Sequence, residues 1–229
     1  MKLNEKIIIT GKLEVKTGLH IGDSKENVEI GGIDLTVVRR KDNNEPYIPG
    51  SSLKGKIRSL LEISEGVNGK STFKKDSDSN NDQYGDSIIP ELFGAIGDKG
   101  CPSRLVVRDA YLSRESARWL KESDYTDMPY TEIKIENLIN RLKGTAEHPR
   151  QIERVPAGAV FEVEFVINIF SNNDGEDIDS KRSKYLQLLK KGIKLLEDDY
   201  LGGSGSRGYG QVKFTTNIDN PVIKKVEEY

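Results

Sequence analysis

The chain has 229 residues, of which 35 are Lys or Arg and 37 are Asp or Glu, for a net charge of −2. That length supports one elaborated domain with a substantial core, and the near-neutral balance excludes bulk attraction to nucleic acid, so such a role would depend on local segregation of charge. The lone Cys101 excludes an internal disulfide and a cysteine-based zinc site, and no apolar run is long enough to span a membrane or to read as an export signal; a cytoplasmic protein with no membrane partner is expected.

Residues 6–15 alternate apolar and polar, which predicts a strand, and TGLHIG (17–22) turns out of it. His20 sits on that turn, where a lone histidine is ordinarily solvated. Gly31 and Gly32 then introduce Asp34, an isolated carboxylate on a loop where mobility is cheap, followed by a short strand. Pro46 and Pro49 bracket a turn. Beyond it Leu53, Ile57, Leu60 and Leu61 fall on one helical face, predicting a helix over 51–62 with Ser51 or Ser52 as its N-cap. Lys54 and Arg58 share a different face, and Lys56 lies between them. Free N–H groups at a helix start beside cations suit a phosphate. The heptapeptide GSSLKGK follows the spacing of a nucleotide-binding P-loop until its last position, where Ile57 replaces the hydroxyl residue that holds Mg²⁺. The preceding PYIPG also cannot be a central strand, so NTP hydrolysis is disfavoured.

Residues 64–88 lack apolar periodicity and are expected to be a mobile insertion. Order resumes with IPELFGAIG, a β-rich run over 104–112, and a short helix over 113–121 carrying Trp119. The segment 128–157 fits two periods. TEIKI alternates like a strand, yet Ile135, Leu138, Ile139 and Leu142 fit a helical face. Arg141, Lys143, His148, Arg150 and Arg154 mark it as a candidate basic projecting arm, with a solvated excursion as the alternative. A strand over 160–169 follows, then a helix over 181–198 with Tyr185, Leu188, Leu189, Ile193 and Leu196 on one side. In LGGSGSRGYGQVKF (201–214), five glycines within nine positions surround Ser204, Ser206 and Arg207. Backbone at Gly202, Gly203 and Gly205 could approach a ligand closely and aim N–H groups at phosphates, although such loops also serve as connectors. A strand over 210–215 ends the series.

The order βαββαβ predicts an α+β chain with a ferredoxin-like, RRM-like core and long insertions, all within a single domain over 1–229. The aromatic signature of an ordinary RRM is missing.

TGLHIG, GGIDLTVVRR with YIPGSSLKGKIRSLLE, ELFG with PSRLVVRDAYL, PRQIERVPAGAVFEVEF and LGGSGSRGYGQV occur in that order. Together they resemble the backbone-forming RAMP subunits of type III-A CRISPR (Csm) effector complexes. The resemblance spans nearly the whole chain apart from the 64–88 tract, and it implies a subunit that polymerises with copies of itself along a guide RNA, beside other subunits of the complex. It implies that His20, Lys54, the neighbouring helix-start residues and the glycine-rich loop hold the guide. It further implies that Asp34 cleaves bound target RNA with a divalent metal, Mg²⁺ being expected, and that an arm over 128–157 acts as a thumb splaying bases at regular intervals. A lone carboxylate suffices for such chemistry: Mg²⁺ needs few protein oxygens, and the 2′-OH can attack its own phosphate once the strand is distorted in line. Two alternatives stay open. One is a non-catalytic guide-binding scaffold in which Asp34 is a loop cap; the other is a free-standing endoribonuclease maturing guide RNA, in which His20 and His148 would act as acid and base.

Overall fold

The computed structural model describes residues 2–23, 33–66, 87–95, 100–171 and 177–228. Gly31, Gly32 and most of the 64–88 tract lie outside the described residues; Ser64 itself closes a helix.

Strand β1 (Lys2–Val15) is the centre of the sheet because its alternation buries Ile7, Ile9, Leu13 and Val15 on one face, which begins with the buried Glu5 paired to Arg182. It pairs antiparallel along its length with β7 (Val160–Ser171), Ile7 facing Ile167 and Leu13 facing Phe161. On its other side lie β8 (Val212–Thr216) and β9 (Val222–Lys225). Beyond β7 come β3 (Leu105–Val107), β4 (Ala110–Leu112) and finally β2 (Tyr47–Ile48). The order β4, β7, β1, β8 is that of the ferredoxin-like plan, with all neighbours antiparallel.

The expected strand over 104–112 is broken in two. Val107 faces Phe165 but Tyr111 faces Glu162, so one extra residue is accommodated at Arg108–Asp109, a bulge that frees Asp109 to turn elsewhere. Helices α1 (Gly50–Ser64) and α4 (Ile178–Glu197) cover the apolar face through Leu53, Ile57 and Leu61 from one and Tyr185, Leu188, Leu189, Ile193 and Leu196 from the other. The short α2 (Ile89–Phe93) closes the same core with Leu92. Asp177 caps α4 by accepting from the Ser180 N–H at 3.0 Å, and Ser113 caps α3 (Arg114–Glu122) by accepting from the Ser116 N–H.

Between α3 and β7 the chain forms a separate hairpin, β5 (Glu132–Ile139) with β6 (Ala146–Arg154). The strand period wins over the helical one here for two reasons. Ile135, Ile139 and Leu142 are exposed, so burial offers nothing for a helical face, and the Asn140 carboxamide accepts from the Leu142 and Lys143 N–H groups, starting a turn that Gly144 completes at φ +69°. Leu142, at its tip, is 98% exposed.

Candidate nucleic-acid interface

His20 is not solvated, contrary to the expectation for a loop histidine: only 7% of it is exposed. The turn that carries it is stitched on three sides. Leu19 pairs with Val155 just past β6, Gly22 pairs with Val37 beyond Asp34, and the Gly203 N–H donates to the His20 carbonyl at 2.8 Å. The Nδ1 of His20 lies 2.6 Å from the Glu153 carbonyl oxygen; as that oxygen can only accept, Nδ1 carries the proton and Nε2 faces away from the bond.

Glu153 is the hub of this junction. Its carboxylate is buried, and it accepts from the Val37 N–H at 2.8 Å, from Thr131 Oγ1 at 2.6 Å and from Arg39 Nη2 at 2.5 Å. Arg39 also donates to the carbonyls of Asn44 and Pro129. A buried carboxylate requires this degree of pairing. Its carboxylate thereby ties the strand after Asp34 to the base of the hairpin, and its backbone carbonyl adds the His20 turn.

Asp34 is exposed but its segment is not loose, which corrects the expectation of cheap mobility. Leu35 forms a parallel bridge to Ile152, its N–H donating to Gln151 and its carbonyl accepting from Glu153 at 2.9 Å. The Asp34 carboxylate reinforces this by accepting the Gln151 N–H on Oδ2 at 2.7 Å. A strand edge holds the acid because an unpaired β6 backbone was available to hold it. Among the described residues no group of three or more His, Cys, Asp or Glu could hold a metal together. Oδ1 of Asp34 is a single hard oxygen, a donor that suits Mg²⁺ with its retained waters and not a structural zinc.

At α1 the serine cap does not form. The N-cap is Pro49, with no side-chain cap, and the Gly50 N–H donates to Asp109 Oδ1 at 2.7 Å. The carboxylate released by the β3–β4 bulge therefore takes the place proposed for a phosphate, and Ser51 is simply exposed while Ser52 is partly covered. Lys54 is half-buried, its ammonium donating to Ser103 Oγ at 2.6 Å and to the Leu105 carbonyl at 2.8 Å. Burial, and then the neighbouring Arg58, lower its pKa below that of an ordinary lysine. Arg58 pairs with Glu62 and donates to the Gly94 carbonyl. Lys56 points away from both, to Asp199 at 2.8 Å and over the Tyr200 ring at 3.8 Å. The three cations thus serve two different places.

The glycine-rich loop uses its close approaches largely on the protein itself. A Cβ at Gly202, where φ is +79°, would lie 2.2 Å from the His20 carbonyl, and one at Gly205 would lie 1.9 Å from the Tyr200 ring. The N–H groups of Gly203, Arg207, Gly208 and Gly210 all donate internally. Ser204 stands at φ +58° before a 3₁₀ turn over Gly205–Arg207, and Ser206 is exposed. The connector role is real, and it also presses the loop against His20.

Of the basic arm, Arg154 is committed to Glu132 at 2.6 Å and to the Tyr209 ring, and Arg207 reaches across from the loop to Glu136 at 2.7 Å. Tyr209 is buried beside Glu136 but outside hydrogen-bond geometry; burial first, and then the Glu136 carboxylate, push its pKa up to about 12. Arg141 and Arg150 are exposed on the turn and on β6, and the side chain of His148 lies outside what is described. His20, the Asp34 segment, the arm and the glycine-rich loop are therefore one junction, joined to α1 through Lys56 and Tyr200. Glu153, Arg39 and Asp109 had no signal as site residues; the only trace was an acid two positions before Val155 in an alternating strand.

Residues 12–213 match the RAMP superfamily. The chain is 44% identical over 235 residues to the CRISPR system Cms endoribonuclease Csm3 of Methanocaldococcus jannaschii, covering 100% of this chain and 85% of that protein. It is 40% identical to the protein of the same name from Streptococcus thermophilus, covering 97% and 96%. The crystal structure of a Csm3–Csm4 subcomplex in the type III-A CRISPR-Cas interference complex is 31% identical, covers 100% of this chain and 84% of that one, and superposes with a TM-score of 0.56. The chain belongs to the RAMP superfamily and, within it, to the Csm3 family.

Proposed function

We propose that this protein is a guide-RNA-binding backbone subunit of a type III-A CRISPR interference complex, and that it is an endoribonuclease cutting the bound target RNA at regular intervals. Relatives spanning nearly the whole chain are named Csm3 endoribonucleases, and a Csm3–Csm4 subcomplex shares the fold. The guide would run past Lys54, the α1 start with Ser51 and Ser52, His20 and the glycine-rich loop. Copies of the chain, Csm4-like subunits and target RNA are the proposed partners, and the cytoplasm the proposed location; among the described residues no helix is long and apolar enough to cross a membrane.

One observation carries the catalytic assignment: Asp34 is an exposed carboxylate held rigidly by backbone pairing at the foot of a projecting hairpin. Asp34 would hold a Mg²⁺ ion through one oxygen, the ion supplying charge neutralisation at the scissile phosphate. The chain's own residues do the rest. The exposed apolar tip of the hairpin displaces bases, so that a 2′-OH can be turned in line with its phosphate, and Arg150, exposed beside Gln151, offsets phosphate charge.

The bond from Gln151 to Asp34 also favours a second reading, in which the acid is only a cap and the chain a scaffold. Cleavage of target RNA by the assembled complex, with and without EDTA, separates the two. Loss with chelation and recovery with Mg²⁺ supports the metal-dependent enzyme; no cutting under any condition supports the scaffold; cutting of guide precursor unaffected by EDTA supports maturation chemistry.

A further inference from the structure

We infer that Lys134 of β5 and Arg207 of the glycine-rich loop form a further site for one RNA phosphodiester, a site in which the Glu136 carboxylate holds the place of the phosphate until RNA arrives. The inference rests on the reading that the glycine-rich loop faces RNA. The two oxygens of Glu136 are each taken by a cation: Oε2 by Arg207 Nη1 at 2.7 Å and Oε1 by Lys134 Nζ at 3.5 Å. A phosphodiester presents two non-bridging oxygens and one negative charge in the same way. Accessibility runs in the direction an exchange needs. The Glu136 side chain is 15% exposed, whereas that of Arg207 is 59% exposed and that of Lys134 is 37% exposed. The acid lies inside and the cations can be reached from solvent.

The surroundings favour a cation site over a plain surface ion pair. Lys134 and Glu136 are two apart on β5, so they share the face turned to the loop, and the Lys134 ammonium sits 4.4 Å from the centre of the buried Tyr209 ring. Arg154, on the same ring, is already neutralised by Glu132. Partial burial works to raise the Glu136 pKa, yet Tyr209, Arg207 and Lys134 hold it below the usual carboxylate range, so at neutral pH the site is always filled by a charged stand-in. The register of the hairpin shifts immediately beyond, between Glu136 and Leu138. Displacing the carboxylate therefore releases the Glu136–Arg207 tie between arm and loop just before the arm's irregular point, and occupancy of the loop by RNA becomes linked to the setting of the arm.

The test is binding of the full-length chain to a single-stranded RNA oligonucleotide, followed by fluorescence anisotropy across a range of salt concentrations. Glu136→Gln should bind about fivefold tighter at low salt, with a salt slope steeper by up to about 0.7 for each additional phosphate neutralised. Glu164→Gln removes a carboxylate of the same charge, paired with Arg108 on β7, and should change neither quantity. Adding Arg207→Gln to Glu136→Gln should cancel the increase. Lys134→Gln, which leaves the Glu136–Arg207 pair intact, should weaken binding and flatten the slope; this variant decides the matter should Glu136→Gln fold poorly. Wild-type binding with no increase in Glu136→Gln beyond that of Glu164→Gln, or an unchanged slope in Lys134→Gln, overturns the phosphate site and leaves the RNA-binding reading standing. A wild-type chain that does not bind RNA overturns both.

Discussion

Replacing Asp34 by Asn separates the chemistry of this residue from its structural duty. The carboxylate accepts the Gln151 N–H on Oδ2 at 2.7 Å, and the residue is exposed, so a ligand can reach it. A carboxamide keeps an acceptor of the same size toward Gln151, so the segment stays docked on β6 through it and through the Leu35–Ile152 bridge. The cost is the difference between a charge-assisted and a neutral hydrogen bond at an exposed site, about 1 kcal/mol or less. For a chain of this size that lowers Tm by about 2–4 °C at most. Removing a negative charge beside RNA does not weaken binding and can only raise it slightly. Cleavage is another matter. Loss of one preorganised electrostatic group costs about 10³-fold, or about 4 kcal/mol of transition-state stabilisation. The expected result is a variant that assembles with guide and target RNA, melts within a few degrees of the parent and cuts target about a thousandfold more slowly, with added Mg²⁺ giving no rescue. Parental cutting by Asp34→Asn would refute the assignment, as would a loss of cutting fully explained by lost RNA binding.

Four further outcomes are expected. Lys54→Ala should weaken RNA binding by about 1 kcal/mol and flatten its salt dependence; it should also lower stability by about 1 kcal/mol through loss of its bonds to Ser103 and the Leu105 carbonyl, which stay paired with each other, both effects being measurable on one preparation. Gly205→Ala should unseat the loop, because its Cβ meets the Tyr200 ring at 1.9 Å, whereas Gly208→Ala meets nothing within 4 Å and should cost only about 1 kcal/mol for its φ of +85°; equal melting temperatures would contradict this. Glu153→Ala strands Arg39 and the Val37 N–H and should cost about 3–5 kcal/mol in urea unfolding, a loss that Thr131→Ala should not reproduce. Because the folded pKa of Glu136 lies below its unfolded value, its contribution to stability is present above the ordinary glutamate range and is lost as pH falls through the lowered value; hydrogen exchange at β5 should rise in that acidic window for the parent and show no such step in Glu136→Gln.

The apolar periods were enough to place β1, α1, β7, α4 and the closing strand, since each is a long run whose buried face is written in local spacing, and their order leads to the ferredoxin-like plan. Glycine density at 202–210 and an isolated Asp34 were also visible, as was the family resemblance that ordered motifs carry. What those residues touch was not. Gly205 is glycine because of Tyr200, Gly202 because of His20, and the start of α1 is capped by Asp109 from a bulge some sixty positions away. The arm became a hairpin because Ile135, Ile139 and Leu142 find no core, which no local pattern states. The hub at Glu153 joins residues 20, 35, 37, 39 and 131, and a buried acid's partners are chosen by where the folded backbone brings donors. Local sequence determined the elements and the chemical groups on offer. Only tertiary structure decided which charges are already spent on the protein and which remain for RNA, because neutralising a charge depends on distances across the fold and not on spacing along the chain.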